Sequence, residues 1–277
     1  MKKAFTFLCM LLIGSGVFYS CQDDQSMETL DVSDAVRGQL IDLGFDVINF
    51  APLKFEKGFL VEGDIYLTPS DLASMGKARK LPNLEQYSTN LLVSSNGSRT
   101  ITIYAPVGGK TGYSAGMIAG LDLAISRYNA ENLTISFQRV TSSSSADILM
   151  TRLSKGDERR GILGSSGFPT ASGDPYGEIK MSGILESSYN LSTAGIATII
   201  AHEIGHCVGF RHTDYYNRAI SCGGGVSNEG DGGIGANLIP GTPATATLAA
   251  KSYMLACTDG GDRPFNNDDK TALSYLY

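Results

Sequence analysis

Hydrophobic and polar positions change their period several times along this chain, and each change marks a predicted element. Residues 100–105 (TITIYA) alternate with period two and are rich in β-branched side chains, which predicts a strand. Residues 115–129 (AGMIAGLDLAISRYN) space their apolar positions three and four apart and stop at an Asn-Ala-Glu-Asn run, which predicts a helix. Residues 133–140 and 147–153 read as two further strands separated by a Ser-rich loop. The Gly-rich stretch 160–181, with two prolines, predicts loop and short edge strands. Ser192 then caps a long helix over residues 193–208. Strand, helix, strands and second helix in that order predict an α+β fold class, an α/β layer with a twisted mixed sheet.

Upstream the pattern is less regular. Residues 33–43 read as a helix ending at Gly44, residues 58–68 (GFLVEGDIYLT) as one alternating strand, and Pro69-Ser70-Asp71 as the start of a short helix. A polar stretch over residues 76–97, broken by Pro82, reads as a linker. The boundaries expected are a signal segment over 1–21, a tether with a small pro-like or accessory segment over 22–95, and the main domain over 96–277.

The first 21 residues predict targeting rather than fold. Lys2 and Lys3 precede an apolar run that ends at Ser20-Cys21, as in a bacterial lipoprotein signal in which Cys21 is lipidated. Cleavage near Ser20 without lipidation is the alternative. The acidic Gln22-Asp23-Asp24 after it is similar to signals that send lipoproteins to the outside of the outer membrane, so an outer-membrane lipoprotein facing the cell surface or the periplasm, or released from it, is expected. The net charge of −6 and the absence of a basic run argue against nucleic acid. A monomer acting on proteins or peptides is expected. Of five cysteines, Cys9 would leave with the signal and Cys21 would carry lipid, leaving Cys207, Cys222 and Cys257 in an oxidising compartment where one pair can form.

The chemistry concentrates in His202-Glu203-Ile204-Gly205-His206-Cys207-Val208-Gly209-Phe210-Arg211-His212. Residues four apart share a helix face, so His202 and His206 can grip one Zn²⁺ at about 2.0–2.1 Å each. Glu203 lies where it can reach a water at the metal without ligating it. Gly209 ends the helix in a left-handed conformation, and the chain can return with His212 as third ligand. Three protein ligands leave a position open, the mark of a catalytic site. Five fixed residues at about one in twenty each make a chance match roughly one in a few million per starting point. Moreover, the chain has only three histidines, and all of them fall on ligand positions.

HEIGHCVGFRH resembles the metzincin signature HExxHxxGxxH, and HEIGH followed by FRHTD resembles the bacterial dual-action HEIGH metallo-peptidases. That resemblance implies a zinc endopeptidase over about residues 99–277, with Glu203 as general base, Met254 in a Met-turn beneath the metal, and a closing C-terminal helix capped by Asn266 or Asn267 with Asp268 and Asp269 in its first turn. The same layout places Cys222 after the third ligand and Cys257 after the Met-turn, which implies their pairing and leaves Cys207 a buried thiol. Asp214 is a candidate to orient a ligand or the helix, or else a plain surface residue.

The likeness has limits. The position two residues after Met254 is Ala256, so the tyrosine some relatives place there is missing, and no fourth histidine exists for a second zinc. Calcium on loop oxygens near Asp174 or Asp231 is a further expectation, against plain Asp-Gly turns. The segment between Cys21 and Arg99 holds no cysteine and so cannot latch the metal through sulfur; a carboxylate latch from Glu62, Asp64 or Asp71 stands against a plain spacer. A catalytically idle surface lipoprotein that binds protein or glycan is the alternative function, and a zinc hydrolase of other substrates a third.

Overall fold

The computed structural model describes residues 31–75, 86–230, 232–243 and 245–277. The signal segment, Cys21, Pro82 and Asp231 lie outside them. Among the described residues no helix is long and apolar enough to cross a membrane.

Five strands form the main sheet: β5 (Arg99–Tyr104), β6 (Ile135–Val140), β7 (Ile148–Arg152), β8 (Gly164–Ser165) and β9 (Glu178–Met181), in the order β6-β5-β7-β9-β8. The first four of that order run parallel and β8 pairs antiparallel on the edge, so the sheet is mixed. Ile101 and Ile103 of β5, Ile135 and Phe137 of β6, and Ile148 and Met150 of β7 point into one core. Against it pack α3 (Ala115–Asn129), capped by Ser114, and α5 (Thr193–Cys207), capped by Ser192. From Gly195 to its end α5 is buried on every side, which is why its sequence carries almost no polar residue outside the histidine motif. Tyr128 of α3 donates its hydroxyl to the Ala201 carbonyl of α5 at 2.8 Å, fixing one helix on the other.

The C-terminal helix α7 (Asn267–Leu276) begins with a capping box: Asn266 accepts from the Asp269 amide at 2.7 Å and Asp269 accepts from the Asn266 amide at 2.9 Å. Asp269 does more than complement the helix dipole. It is buried and also accepts from Ser252 Oγ at 2.6 Å and Gln86 Nε2 at 2.5 Å. The terminal Tyr277 accepts the Val93 amide with its hydroxyl and donates to the Val208 carbonyl.

Two sequence expectations are corrected. Residues 58–68 are not one strand but a hairpin, β2 (Gly58–Val61) and β3 (Ile65–Leu67), flanked by β1 (Leu53–Phe55) in an antiparallel sheet. Glu62 and Gly63 both adopt positive φ, 55° and 98°, and reverse the chain where simple alternation would carry it straight on. The stretch read as a linker is, from Gln86 onward, part of the main domain rather than a spacer. Its strand β4 (Tyr87–Ser88) pairs with β10 (Asn237–Leu238), and buried Gln86 is satisfied inside the protein by Asp269 instead of by water.

The N-terminal lobe also contains α1 (Asp34–Asp42) and α2 (Pro69–Ser74), the latter closed by a Thr68/Asp71 capping box. Leu40, Leu43, Phe45, Val47, Val61, Ile65, Leu67 and Leu72 form its core, which seats on Phe168 and Ile234 of the main domain. Two short helices, α4 (Lys155–Arg159) and α6 (Ala219–Cys222), complete the chain.

Replacing Asp269 by Ala would leave a buried amide, a hydroxyl and the α7 cap without their acceptor, an expected loss of roughly 3 kcal/mol. Urea denaturation checks it; a change within about 0.5 kcal/mol would mean the buried carboxylate ties nothing together.

Candidate metal centre

His202 and His206 leave α5 one turn apart and stay buried. Two glycines shape the path from this helix to the third histidine. Gly209 has φ 105°, and a Cβ there would sit 2.7 Å from the Leu91 carbonyl, so only glycine lets the chain reverse at this point. A Cβ on Gly205 would fall 2.5 Å from Met254 Sδ, so the fourth residue of HEIGH is small because the Met254 loop presses against the helix there. Beyond the reversal His212 comes back, fully buried.

Each imidazole is anchored through Nδ1. His202 donates to the Tyr253 carbonyl at 2.9 Å, His206 to the Phe210 carbonyl at 2.8 Å, and His212 to Glu229 Oε1 at 2.7 Å. These acceptors assign the proton to Nδ1 in every ring, which leaves Nε2 a bare lone pair. The three Nε2 atoms converge: that of His206 lies 3.1 Å from His202 and 3.2 Å from His212. Asp64 from the hairpin adds a fourth atom, Oδ2 at 3.1 Å from His212 Nε2 and 3.6 Å from His202 Nε2.

Four acceptor atoms so close repel one another unless a cation lies among them. Two ligands each about 2.0–2.1 Å from a tetrahedral centre are roughly 3.4 Å apart, which matches these separations. The donor set of three imidazole nitrogens and a carboxylate oxygen suits zinc. Electrostatics agree. Burial and the two neighbouring rings hold His206 well below its usual range, as a neutral lone-pair donor. Burial opposes charge on His212, yet Asp64 and Glu229 outweigh it and raise that group to about 10, so unless a cation lies among these atoms the ring itself takes a second proton, on the Nε2 that faces Asp64. The same residues form the clearest metal-holding cluster among the described ones.

Glu203 is buried beside the histidines. Its Oε2 accepts from Ser166 Oγ at 2.8 Å, and burial followed by the nearby Asp64 charge pushes its carboxyl well above the usual range. A cavity of about 270 Å³ opens next to His202 and Glu203, walled by Gly164, Ile199, Leu255 and Arg263.

Met254 is fully buried under the centre, its carbonyl accepting the Thr213 amide at 2.8 Å. Cys222 and Cys257 are joined in a disulfide, and Cys207 is a free buried thiol. Asp214 is buried, and the side-chain hydrogen bonds it makes go to the loop rather than to a histidine ring. It accepts from Ser221 Oγ at 2.6 Å and the Ala256 amide at 2.9 Å, holding the loop after Met254 near the disulfide. Of the latch candidates, Asp64 reaches the centre, Glu62 joins a buried group with Glu229, and Asp71 only caps α2. Calcium finds no support at Asp174, whose carboxylate is taken by Arg99 at 3.0 Å and by Ser172.

Sequence reading misses Glu229, Arg218 and Ser166. Glu229 is wholly buried, holds His212, and is itself flanked by Arg218 Nη1 at 2.5 Å and Arg211 Nη2 at 3.4 Å. It sits in a Gly-rich loop with no periodicity, so nothing local marks it.

With this geometry in place, comparison with known proteins is decisive at the family level. Residues 59–277 match the family described as dual-action HEIGH metallo-peptidase. The chain belongs to that family. As a HEIGH metallo-peptidase it is a metal-dependent peptidase, and its substrates are proteins or peptides. None of the curated proteins matches the sequence. Solved structures with some likeness include myroilysin (17% identity, TM-score 0.39, covering 68% of this chain and 96% of that one). Another is the GM1-bound ECX AB5 holotoxin (18% identity, TM-score 0.37, covering 68% and 81%). Both scores are too low to add to the family assignment.

In this HEIGH peptidase the contact between Gly205 and Met254 gives a sharp expectation. Gly205→Ala should cost about 1–3 kcal/mol by overpacking, and less in a Met254→Ala background, with a coupling of at least about 0.5 kcal/mol. Thermal melts of the four proteins measure it; strict additivity would mean that the two residues do not press on each other.

Proposed function

We propose that this HEIGH peptidase is a zinc endopeptidase of the metzincin type, with His202, His206 and His212 holding the ion and Glu203 acting as general base. One observation carries the reading: three buried imidazoles, each locked through Nδ1, aim bare Nε2 atoms at one point. The metzincin assignment is supported by the reversal at Gly209 that returns His212 and by Met254 packed beneath Gly205.

When bound, zinc would supply Lewis acidity, acidifying a water and polarising the scissile carbonyl. The protein does the rest. Glu203 takes the proton of the attacking water and passes it to the departing amine. Ser166, donating to Glu203 Oε2, keeps that carboxylate turned toward the cleft. Glu229 fixes the ring of His212 and balances the charge of the ion, with Arg211 and Arg218 offsetting its own burial. The cavity beside His202 and Glu203 takes a side chain of the substrate.

The N-terminal residues support a secreted lipoprotein, anchored through Cys21 to the outer membrane and facing the surface or the periplasm. The Cys222–Cys257 disulfide suits such an oxidising compartment.

Two measurements test these readings. Glu203→Ala should keep one equivalent of zinc while casein cleavage, measured after limited proteolysis, drops by at least ~10²-fold. Zinc bound without cleavage in either protein would favour the idle binding protein instead. Labelled palmitate should enter the wild-type chain in its native host and be lost in Cys21→Ala; equal labelling of both would remove the anchor.

A further inference from the structure

We propose that Asp64 is the fourth ligand of the metal and that the hairpin carrying it keeps the intact chain latent. This rests on the zinc-peptidase reading above. Asp64 Oδ2 stands at 3.1 and 3.6 Å from two of the Nε2 atoms, the spacing that a shared tetrahedral ion imposes. Its other oxygen, Oδ1, is buried with no hydrogen-bond partner, so nothing but the centre accounts for placing this carboxylate where it is.

The approach is built, not incidental. The Asp64 carbonyl accepts the Ser166 amide at 3.0 Å, and the Tyr66 amide donates to the Ser166 carbonyl at 2.9 Å, so the hairpin makes a parallel bridge next to edge strand β8. That is the backbone an extended peptide would need in order to lie beside Glu203. Arg218 donates to the Glu62 carbonyl at 2.8 Å and lies over the Phe50 ring at 4.2 Å, clamping the lobe to the same arginine that pairs with Glu229. Behind the turn, Val61, Ile65 and Leu67 are fixed in the lobe's own core.

Four protein ligands close a zinc site and leave no place for water or a substrate carbonyl. Phe50, Glu62 and Gly63 also form one wall of the cavity beside His202. Asp64 therefore blocks the chemistry, and the hairpin blocks the cleft. Activity requires the hairpin to leave, after which water can take the place of Oδ2 and a peptide the place of residues 64–66.

The intact chain is loaded with Co²⁺, and its visible spectrum is followed as acetohydroxamate is added. A closed site leaves the wild-type spectrum unchanged, whereas Asp64→Asn should shift at once. With zinc, chelator competition should show an affinity at least tenfold weaker in Asp64→Asn. At saturating zinc, peptide hydrolysis by the unprocessed variant should be at least tenfold faster than by unprocessed wild type. A wild-type spectrum that responds to hydroxamate as readily as the variant's overturns the proposal, whatever the variant's folding. So do zinc affinities within twofold of each other. Failure of both proteins to take up either metal would instead sink the zinc reading itself, a result distinct from an open site.

Discussion

Three buried imidazoles can be made to face one another only if each is held from behind, and much of the C-terminal half of this protein exists to do that. The carbonyl that holds His202 belongs to Tyr253, next to Met254 in the tight turn under α5. That turn is set by Ser252, whose hydroxyl donates to Asp269 and accepts the Met254 amide, and Asp269 in turn begins the last helix. The carbonyl that holds His206 is available because Gly209 reverses the chain and brings Phe210 back. Glu229 holds His212 and tolerates complete burial because two arginines share its charge. Capping box, turn and arginine pair are therefore parts of one device for aiming lone pairs.

The electrostatic cost of that device is local and nearly balanced. A buried carboxylate such as Glu229 is tolerable only when paired and hydrogen-bonded. Arg218 serves twice, neutralising Glu229 and reaching across to the Glu62 carbonyl of the hairpin. The group that stabilises the proposed metal centre is thus also the joint to the N-terminal lobe.

This coupling gives a physical account of how a peptidase can be folded and restrained at once. The lobe has its own small apolar core resting on Phe168 and Ile234, and Phe55, Leu60 and Tyr66 of its sheet pack on Leu153 and Ile162 of the main domain, so its release would give up these two apolar contacts but not the main core. The sheet, α3, α5 and α7 share no part of the lobe's core, so departure of the hairpin would leave the histidines' own anchors untouched.

Local pattern is enough for the main elements and the chemistry. Helices α3 and α5, strands β5, β6 and β7 and the HExxHxxGxxH constellation come from periodicity, caps and spacing, because those depend on neighbours within a turn or two. By contrast, α7 comes from the family resemblance, and β9, expected as loop or edge strand, lies inside the sheet. The hairpin at Glu62-Gly63 escapes a sequence reading because Gly58 to Thr68 alternates through the bend, and only positive φ at two residues reveals it. Gln86 reads as linker because a polar residue satisfied by Asp269, 183 positions away, is indistinguishable in sequence from one satisfied by water. By itself the sequence determined which atoms could bind a metal and which helix presents them. Only the tertiary structure decided that Glu229, Ser166 and Asp64 meet them, because those contacts span 17, 37 and 148 residues and are fixed by packing rather than by period.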